Sequence, residues 1–434
     1  MNGLNQNITM NNSTKKEWIV VGGGIAGIAA AEILTRNGHE VTLIEKEKEL
    51  ASDTSAVFHE WMHFGSLYTL FPGLNKTLRF VLGGLDDLLE YYSDFDGMNL
   101  VKSENGIKIK EEGWFSDKKI IFRFKLKKRR LVIPWIIGIA RSISLINKIK
   151  QHDWLRRRAG ETRIKFADYL LKIPRTFFEL ISNKNDFHEV ETADHLMNSR
   201  RILEDLLLAA EGNGLEILTN TELKKIKELD EGYDLVVNKN GSSINIKCKN
   251  LVLANSKSIV DFIDADFNNT FAPIVVAKNI NVDKRSFVNL DYFPSTCINS
   301  IYKGNGIAML GGISFKTKEE CKPYIEYIIN ENKKINPQLE PIDSYIGVKT
   351  EFVFKGEDRS YIYNIINHEN SGLWTLVPGK FSLAFSMAVE FYRKVSMRNP
   401  NKRDKIDKKA RHISINNNVN ISPHKYQDII NKKG

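Results

Sequence analysis

Cysteine is scarce: Cys248, Cys297 and Cys321 are the three in 434 residues, and they have no metal-ligand spacing. So few and odd a count excludes a disulfide framework and fits a reducing compartment. No stretch reaches the roughly 18 apolar residues that a membrane-spanning helix needs. The opening MNGLNQNITMNNSTKKE is polar and Asn-rich without an apolar core. No secretory signal is therefore expected, and residues 1–16 read as a disordered lead-in. Acidic residues are missing from one place in particular. Between positions 118 and 158 a single acid, Asp153, faces 14 cations, while the whole chain carries a net +10. The remainder is thus slightly acidic, and the positive charge is a local feature. With 42% hydrophobic residues, the chain can build a large core and more than one domain.

The most informative stretch is VVGGGIAG at 20–27. Trp18 to Val21 form a short buried-strand pattern ahead of the glycines, and Ala29 to Arg36 favour helix up to a stop at Gly38. Val41 to Ile44 give a second strand ending at Glu45, which lies 18 residues beyond Gly27. Gly22, Gly24 and Gly27 have the GxGxxG spacing of a dinucleotide-binding βαβ unit. Gly22 permits the turn, Gly24 lets a pyrophosphate approach the main chain, and Gly27 lets helix pack on strand. The helix start at Ile25 and Ala26 offers N–H groups to phosphate, and Glu45 can accept from ribose hydroxyls.

Further along, LGGLDDLLEYY and FADYLLKIPRTFFELI read as helices, and ADHLMNSRRILEDLLLAAEGNG as a helix stopped at Gly214. YDLVVNKNGSSINIKC reads as a hairpin turning at Lys239-Asn240-Gly241. Residues 259–344 are strand-rich, and SGLWTLVPGKFSLAFSMAVEFYRKV reads as strand, Pro-Gly turn and long helix. Beyond Asn399 the polar, basic tail reads as loosely ordered.

This layout resembles the FAD-dependent oxidoreductases of the D-amino-acid oxidase, glycine oxidase and glycerol-3-phosphate dehydrogenase type, over about residues 17–395. Four places carry the likeness. They are the N-terminal glycine unit with Glu45; ASDTSAVFHEWMHFGSLY, with Thr54, Ser55, His63, Gly65 and Tyr68; the segment 213–258, with Thr221, Glu222 and Leu223; and GVKTEFVFKGEDRSYIYNI followed by LWTLVPGKFSLAF. The resemblance implies an α/β fold, with a discontinuous Rossmann-like FAD-binding domain and a mixed-sheet substrate or cap domain. The implied division is FAD-binding segments at 17–75, 190–258 and 345–398, a cap with its basic-apolar insertion (118–158) at 76–189, substrate sheet at 259–344, and a tail at 399–434. FAD is the implied cofactor and no metal is expected. Gly22, Gly24, Ile25, Ala26, Gly27, Glu45, Thr54, Ser55, Leu223, Ala254, Gly379 and Lys380 would contact it, with His63 and Lys349 at the chemistry. Lys349 stands where the family has an arginine for a substrate carboxylate, so a bidentate clamp becomes a point charge. The DRSY element lacks the family's proline, and VPGKFS has fewer glycines than its flavin loop.

Each residue also has a plainer reading. His63 can be a base or orienting donor, or a hydrogen-bonded structural histidine. Thr54 and Ser55 can be cofactor ligands or turn caps. Lys349 can meet a substrate anion or stand solvated on its strand, and Gly379 can be a simple turn glycine. Tyr302 and Trp374 read as core. The run FRFKLKKRRLVIPWIIGIARSISLINKIK, with Trp135 in an apolar block between cationic flanks, can lie on an anionic membrane surface or form a cap helix with solvated ends. Nucleic acid is not expected, because the block lacks interleaved aromatics. The expected function is FAD-dependent oxidation of a small or amphipathic, anionic amine or hydroxy compound by hydride transfer, in the cytoplasm or at the inner face of a membrane. One alternative is a membrane-surface flavin reductase or dehydrogenase acting on a lipid or cell-envelope precursor. The other is a binding module with structural FAD.

Overall fold

The computed structural model describes residues 15–65, 67–68, 75–103, 106–125, 187–264, 267–289, 297–353, 362–369, 371–403 and 420–433. Most of the basic-apolar segment, FADYLLKIPRTFFELI and DRSY lie outside the described residues. No helix among the described residues is long and apolar enough to cross a membrane.

Two eight-stranded sheets, a two-stranded β4-β5 sheet and six α-helices organise the described residues. The strands are β1 (Lys16–Val21), β2 (Val41–Ile44), β3 (Trp61–Met62), β4 (Leu100–Ser103), β5 (Gly106–Ile109), β6 (Phe115–Lys125), β7 (Phe187–Met197), β8 (Glu216–Leu218) and β9 (Thr221–Glu228). They continue as β10 (Tyr233–Lys239), β11 (Ser242–Leu253), β12 (Phe267–Lys278), β13 (Ser286–Asn289), β14 (Ile298–Gly304), β15 (Ile307–Gly312), β16 (Glu340–Phe352), β17 (Asn364–His368) and β18 (Leu373–Val377). The helices are α1 (Ile25–Arg36), α2 (Asn75–Tyr91), α3 (Ser199–Gly212), α4 (Cys321–Lys333), α5 (Ala384–Ser396) and α6 (Lys425–Lys433).

The first sheet runs β17-β18-β11-β1-β2-β8, and β18, β11, β1, β2 and β8 are mutually parallel. Its apolar strands need cover on both faces. On one face α1 packs against α3 and α5. Gly27 makes the closeness of α1 possible, since a Cβ there would stand 1.8 Å from Gly22 O. On the other face lies a β9-β10-β11 meander, whose Leu223, Leu235 and Val237 join Ile19, Ile44 and Leu251 in one core. The meander turns at Asn240-Gly241, both at positive φ (51° and 86°), with Lys239 paired to Ser242. That is a two-residue hairpin with the primed turn its sequence signals.

The second sheet runs β16-β12-β15-β14-β13-β6-β7-β3 and is antiparallel except where β13 meets β6. One of its faces carries α4, which the sequence reading missed because four short strands dominate that region. Three sequence expectations need correction. ADHLM is not helical: it ends β7, and Asn198 caps α3 by accepting from Arg201 N–H. Domain limits at 190 and 345 fall inside β7 and β16, strands paired to the second sheet along their length, while α2, assigned to the cap, packs on α5. The tail is partly ordered, since Ile421 bridges Leu50 and α6 packs on β16.

Candidate cofactor and substrate site

The carboxyl ends of β1, β2, β11 and β18 converge on one cavity of about 930 Å³, lined at those ends by Gly22, Glu45, Ala254 and Pro378. This is where open parallel α/β sheets bind ligands, because helix starts and strand ends leave main-chain groups unpaired there. The cavity continues past the second sheet, which contributes Ala272, Asn299, Gly312 and Lys349.

At the first end, Gly22 sits at φ +106°, and a Cβ there would meet Ala254 O at 2.8 Å. The turn therefore needs glycine. Gly24 is different: a Cβ would find only Ser55 Oγ within 4 Å, at 3.2 Å, and would otherwise project into open space. That space fits a pyrophosphate lying against main chain. Ile25 and Ala26 line the same space, and the first turn of α1 carries no acidic side chain, which leaves its positive end to a ligand anion. Glu45 lines the cavity and is already engaged, its Oε2 accepting from Gly23 N–H at 2.6 Å. Leu223 lines the cavity from β9 beside Thr221 and Glu222. The structure separates Gly27 from these residues: it packs helix on strand and is not among the cavity's lining residues.

Thr54 and Ser55 form a single 3-10 turn above the glycines. Ser55 Oγ accepts from Ile25 N–H at 3.0 Å, and Thr54 Oγ1 donates to Val348 O at 3.2 Å. Gly379 holds φ +63°, where a Cβ would stand 2.4 Å from Ile362 O, so the turn after β18 needs glycine. Lys380 follows it into the cavity, its Nζ 5.3 Å from the Tyr68 ring centroid. Lys349 reaches the cavity from β16, with Nζ 4.5 Å from the Phe58 ring centroid, and is half-buried rather than solvated. Trp374 is core, as expected, while Tyr302 is half-buried and its hydroxyl accepts from Gly306 N–H.

His63 lines the cavity stacked on Trp61, ring centroids 4.2 Å apart, with Nδ1 3.7 Å from Asp194 Oδ2. Asp194 is buried and accepts from Trp61 Nε1 and Phe64 N–H, which fixes it under the ring. Burial pushes His63 down to about 4; Asp194 opposes this, and the charges of Lys380 and Lys349 add to it. His59, which the sequence reading passed over, also lines the cavity, and burial with the charges of Lys349 and Lys303 pushes it down to about 3. Its Nε2 and Asn299 Oδ1 have no hydrogen-bond partner among the described residues, nor does Asn255 Oδ1 further along the same cavity. Buried polar atoms of this kind require a partner, and a bound ligand provides one. The only sequence signal for His59 was its place four residues after Ser55.

A glycine turn under a helix start, an acid at the end of β2, and a closing strand with its own glycine turn form a cavity of the kind that holds a dinucleotide. Residues 17–106 match the family model described as FAD dependent oxidoreductase. The resemblance, the α/β fold and the FAD cofactor expected from the sequence agree with that match. No curated protein matches the chain by sequence. Among solved structures, the FAD-bound L-α-glycerophosphate oxidase of Mycoplasma pneumoniae is similar at 17% identity and a TM-score of 0.63, covering 91% of this chain and 99% of that one. The L-proline dehydrogenase of P. horikoshii is similar at 14% identity and 0.58, covering 91% and 96%. The glycine oxidase of Geobacillus kaustophilus is similar at 15% identity and 0.59, covering 90% and 97%. At these identities the likeness is one of fold.

Proposed function

We propose that the chain oxidises a small anionic amine or hydroxy compound, of amino-acid or glycerophosphate type, at the carbon bearing the amine or hydroxyl. The observation that carries this is Lys349, which lines the same cavity as the cofactor-side Lys380 and whose charge, like that of Lys380, bears on His63. An ammonium group on the cavity wall favours an anion, and in a partly dry cavity the attraction exceeds its value in water. FAD, when bound, supplies the acceptor for the hydride. Gly22, Gly24, Ile25, Ala26, Glu45, Thr54, Ser55, Leu223, Ala254, Gly379 and Lys380 are the residues that would hold it, with Gly27 acting through helix packing. His63, held neutral, can take the substrate's N–H or O–H proton as the hydride leaves carbon. Asp194 would orient the ring, and Phe58, Trp61 and Tyr68 would keep water out. The similar structures are named for glycerophosphate, proline and glycine, each a small molecule bearing a phosphate or carboxylate group, which supports the same reading.

The test is anaerobic bleaching of the visible flavin band by a panel of amino acids, hydroxy acids, glycerol phosphates and their uncharged analogues. The proposal expects bleaching by one or more compounds that carry a carboxylate or phosphate and little by the matched compound without it. Bleaching confined to compounds that lack such a group would refute it.

A further inference from the structure

The loop from Ala51 to Glu60 carries Thr54 and Ser55 toward the α1 glycines and Phe58 and His59 toward Lys349. It begins and ends on strained backbone. Ala51 has φ +57° and Glu60 φ +58°, left-handed conformations that are unfavourable for a non-glycine residue. Such conformations persist where surrounding contacts over-determine them: Ala51 N–H donates to Gly23 O, Glu60 accepts from Met197, Ser199 and Lys303, and the residues beside these two ends are held from the far end of the chain.

Next to Ala51, Leu50 N–H donates to Asn420 O and Ser422 N–H donates to Leu50 O, both at 2.9 Å. Ser422 Oγ adds a bond to Glu49 at 3.0 Å. Near Glu60, three successive carbonyls are held from outside the loop. Tyr345 OH donates to Val57 O at 2.7 Å, His424 Nε2 to Phe58 O at 2.8 Å, and Lys303 Nζ to His59 O at 3.3 Å. His424 is part of the C-terminal segment and is 3% exposed. The other two donors are packed by the same segment, Lys425 over the Tyr345 ring at 4.7 Å and Tyr426 beneath Lys303 at 5.2 Å. Burial pushes His424 down to about 4, so near neutrality it donates as an uncharged imidazole.

We propose that residues 420–433 form a strap that holds the strained 51–60 loop in its site-forming shape, with His424 as the positioning residue acting through the Phe58 carbonyl. Neither end of the loop is bound in this way by its own neighbours in sequence. The segment contributes no lining residue to the cavity, so its influence runs through the loop. The ordering term is concrete: a loop held before the cofactor arrives need not be immobilised when it binds. What the loop then serves rests on the function proposed above; that the strap holds it does not.

The experiment is hydrogen exchange on the flavin-free, full-length protein, followed by FAD titration. His424→Ala removes the donor, His424→Gln offers an amide in its place, and Ser422→Pro removes the N–H given to Leu50 O at the other end. The proposal expects amides of 51–60 to exchange about tenfold faster or more in His424→Ala and in Ser422→Pro. Amides of β1 and α1 should be unchanged, the FAD dissociation constant should rise severalfold, and much of both effects should be recovered in His424→Gln. Unchanged exchange at 51–60 in both disruptive variants overturns it, as does acceleration spread equally over β1 and α1, which would mark a general loss of stability. Because exchange is read without flavin or substrate, failure of the substrate proposal would leave this result standing.

Discussion

The hydroxyl of Ser55 accepts a hydrogen bond from the main-chain N–H of Ile25 at 3.0 Å, across thirty positions of sequence. The start of α1 is thus capped by the loop that crosses above it, and the glycine turn and the 51–60 loop form one structure. Ser55→Ala should lower the stability of the flavin-free protein by about 1 kcal/mol, the usual worth of a lost N-terminal cap. Denaturant unfolding measures it, and unchanged stability would mean that this bond does not tie α1 to the loop.

The glycines should separate into two classes. Gly27→Ala puts a Cβ 1.8 Å from Gly22 O and should lower the yield and melting temperature of folded protein. Gly24→Val places its Cβ 3.2 Å from Ser55 Oγ and otherwise meets open cavity, so it should keep the fold with a modest drop in apoprotein melting while abolishing FAD retention. Normal flavin content in folded Gly24→Val would remove the pyrophosphate from that position.

Lys349→Met should lose roughly 1.5–3 kcal/mol of substrate interaction, the range for a hydrogen bond to a charged group. That is a tenfold to hundredfold drop in kcat/KM, with FAD content unchanged. Lys349→Arg should keep more activity than the methionine variant. Full turnover by Lys349→Met of a substrate found by bleaching would return Lys349 to the role of an ordinary strand lysine.

Acidification should weaken the fold over a defined window. Burial holds His63 at about 4, His59 at about 3 and His424 at about 4, all below the ordinary histidine value of 6.5. Below pH 6.5 the unfolded chain binds protons that the native one refuses, so stability falls as pH drops from 6.5 toward 4. For His63 the effect has an upper bound of about 3 kcal/mol. Melting of the flavin-free protein at several pH values should show this slope, and His63→Gln should flatten it. An identical slope in that variant would mean that His63 is not held neutral.

Much of this was legible in the sequence, for an identifiable reason. The βαβ unit, the Asn240-Gly241 hairpin and the strand-turn-helix through Gly379 are local objects. Each depends on residues within about 30 positions and on backbone preferences that glycine and alternating apolar residues state directly. Thr54, Ser55, His63, Lys349 and Lys380 could be placed in one region only through family resemblance, because the strands that carry or flank them lie far apart along the chain. His59 escaped notice because an isolated histidine has no local signature. α4 escaped because its apolar positions merge with those of the surrounding strands.

The sequence by itself determined the local turns, the helix with its glycine-lined start, the scarcity of cysteine and the charge asymmetry. Tertiary structure alone decided which cations share a cavity, which histidines are held neutral, and that the C-terminal segment returns to grip the 51–60 loop. The division follows from range. Backbone conformation and periodicity are set by neighbours in the chain. Desolvation, charge–charge coupling and the support of strained backbone arise between groups that only packing brings together.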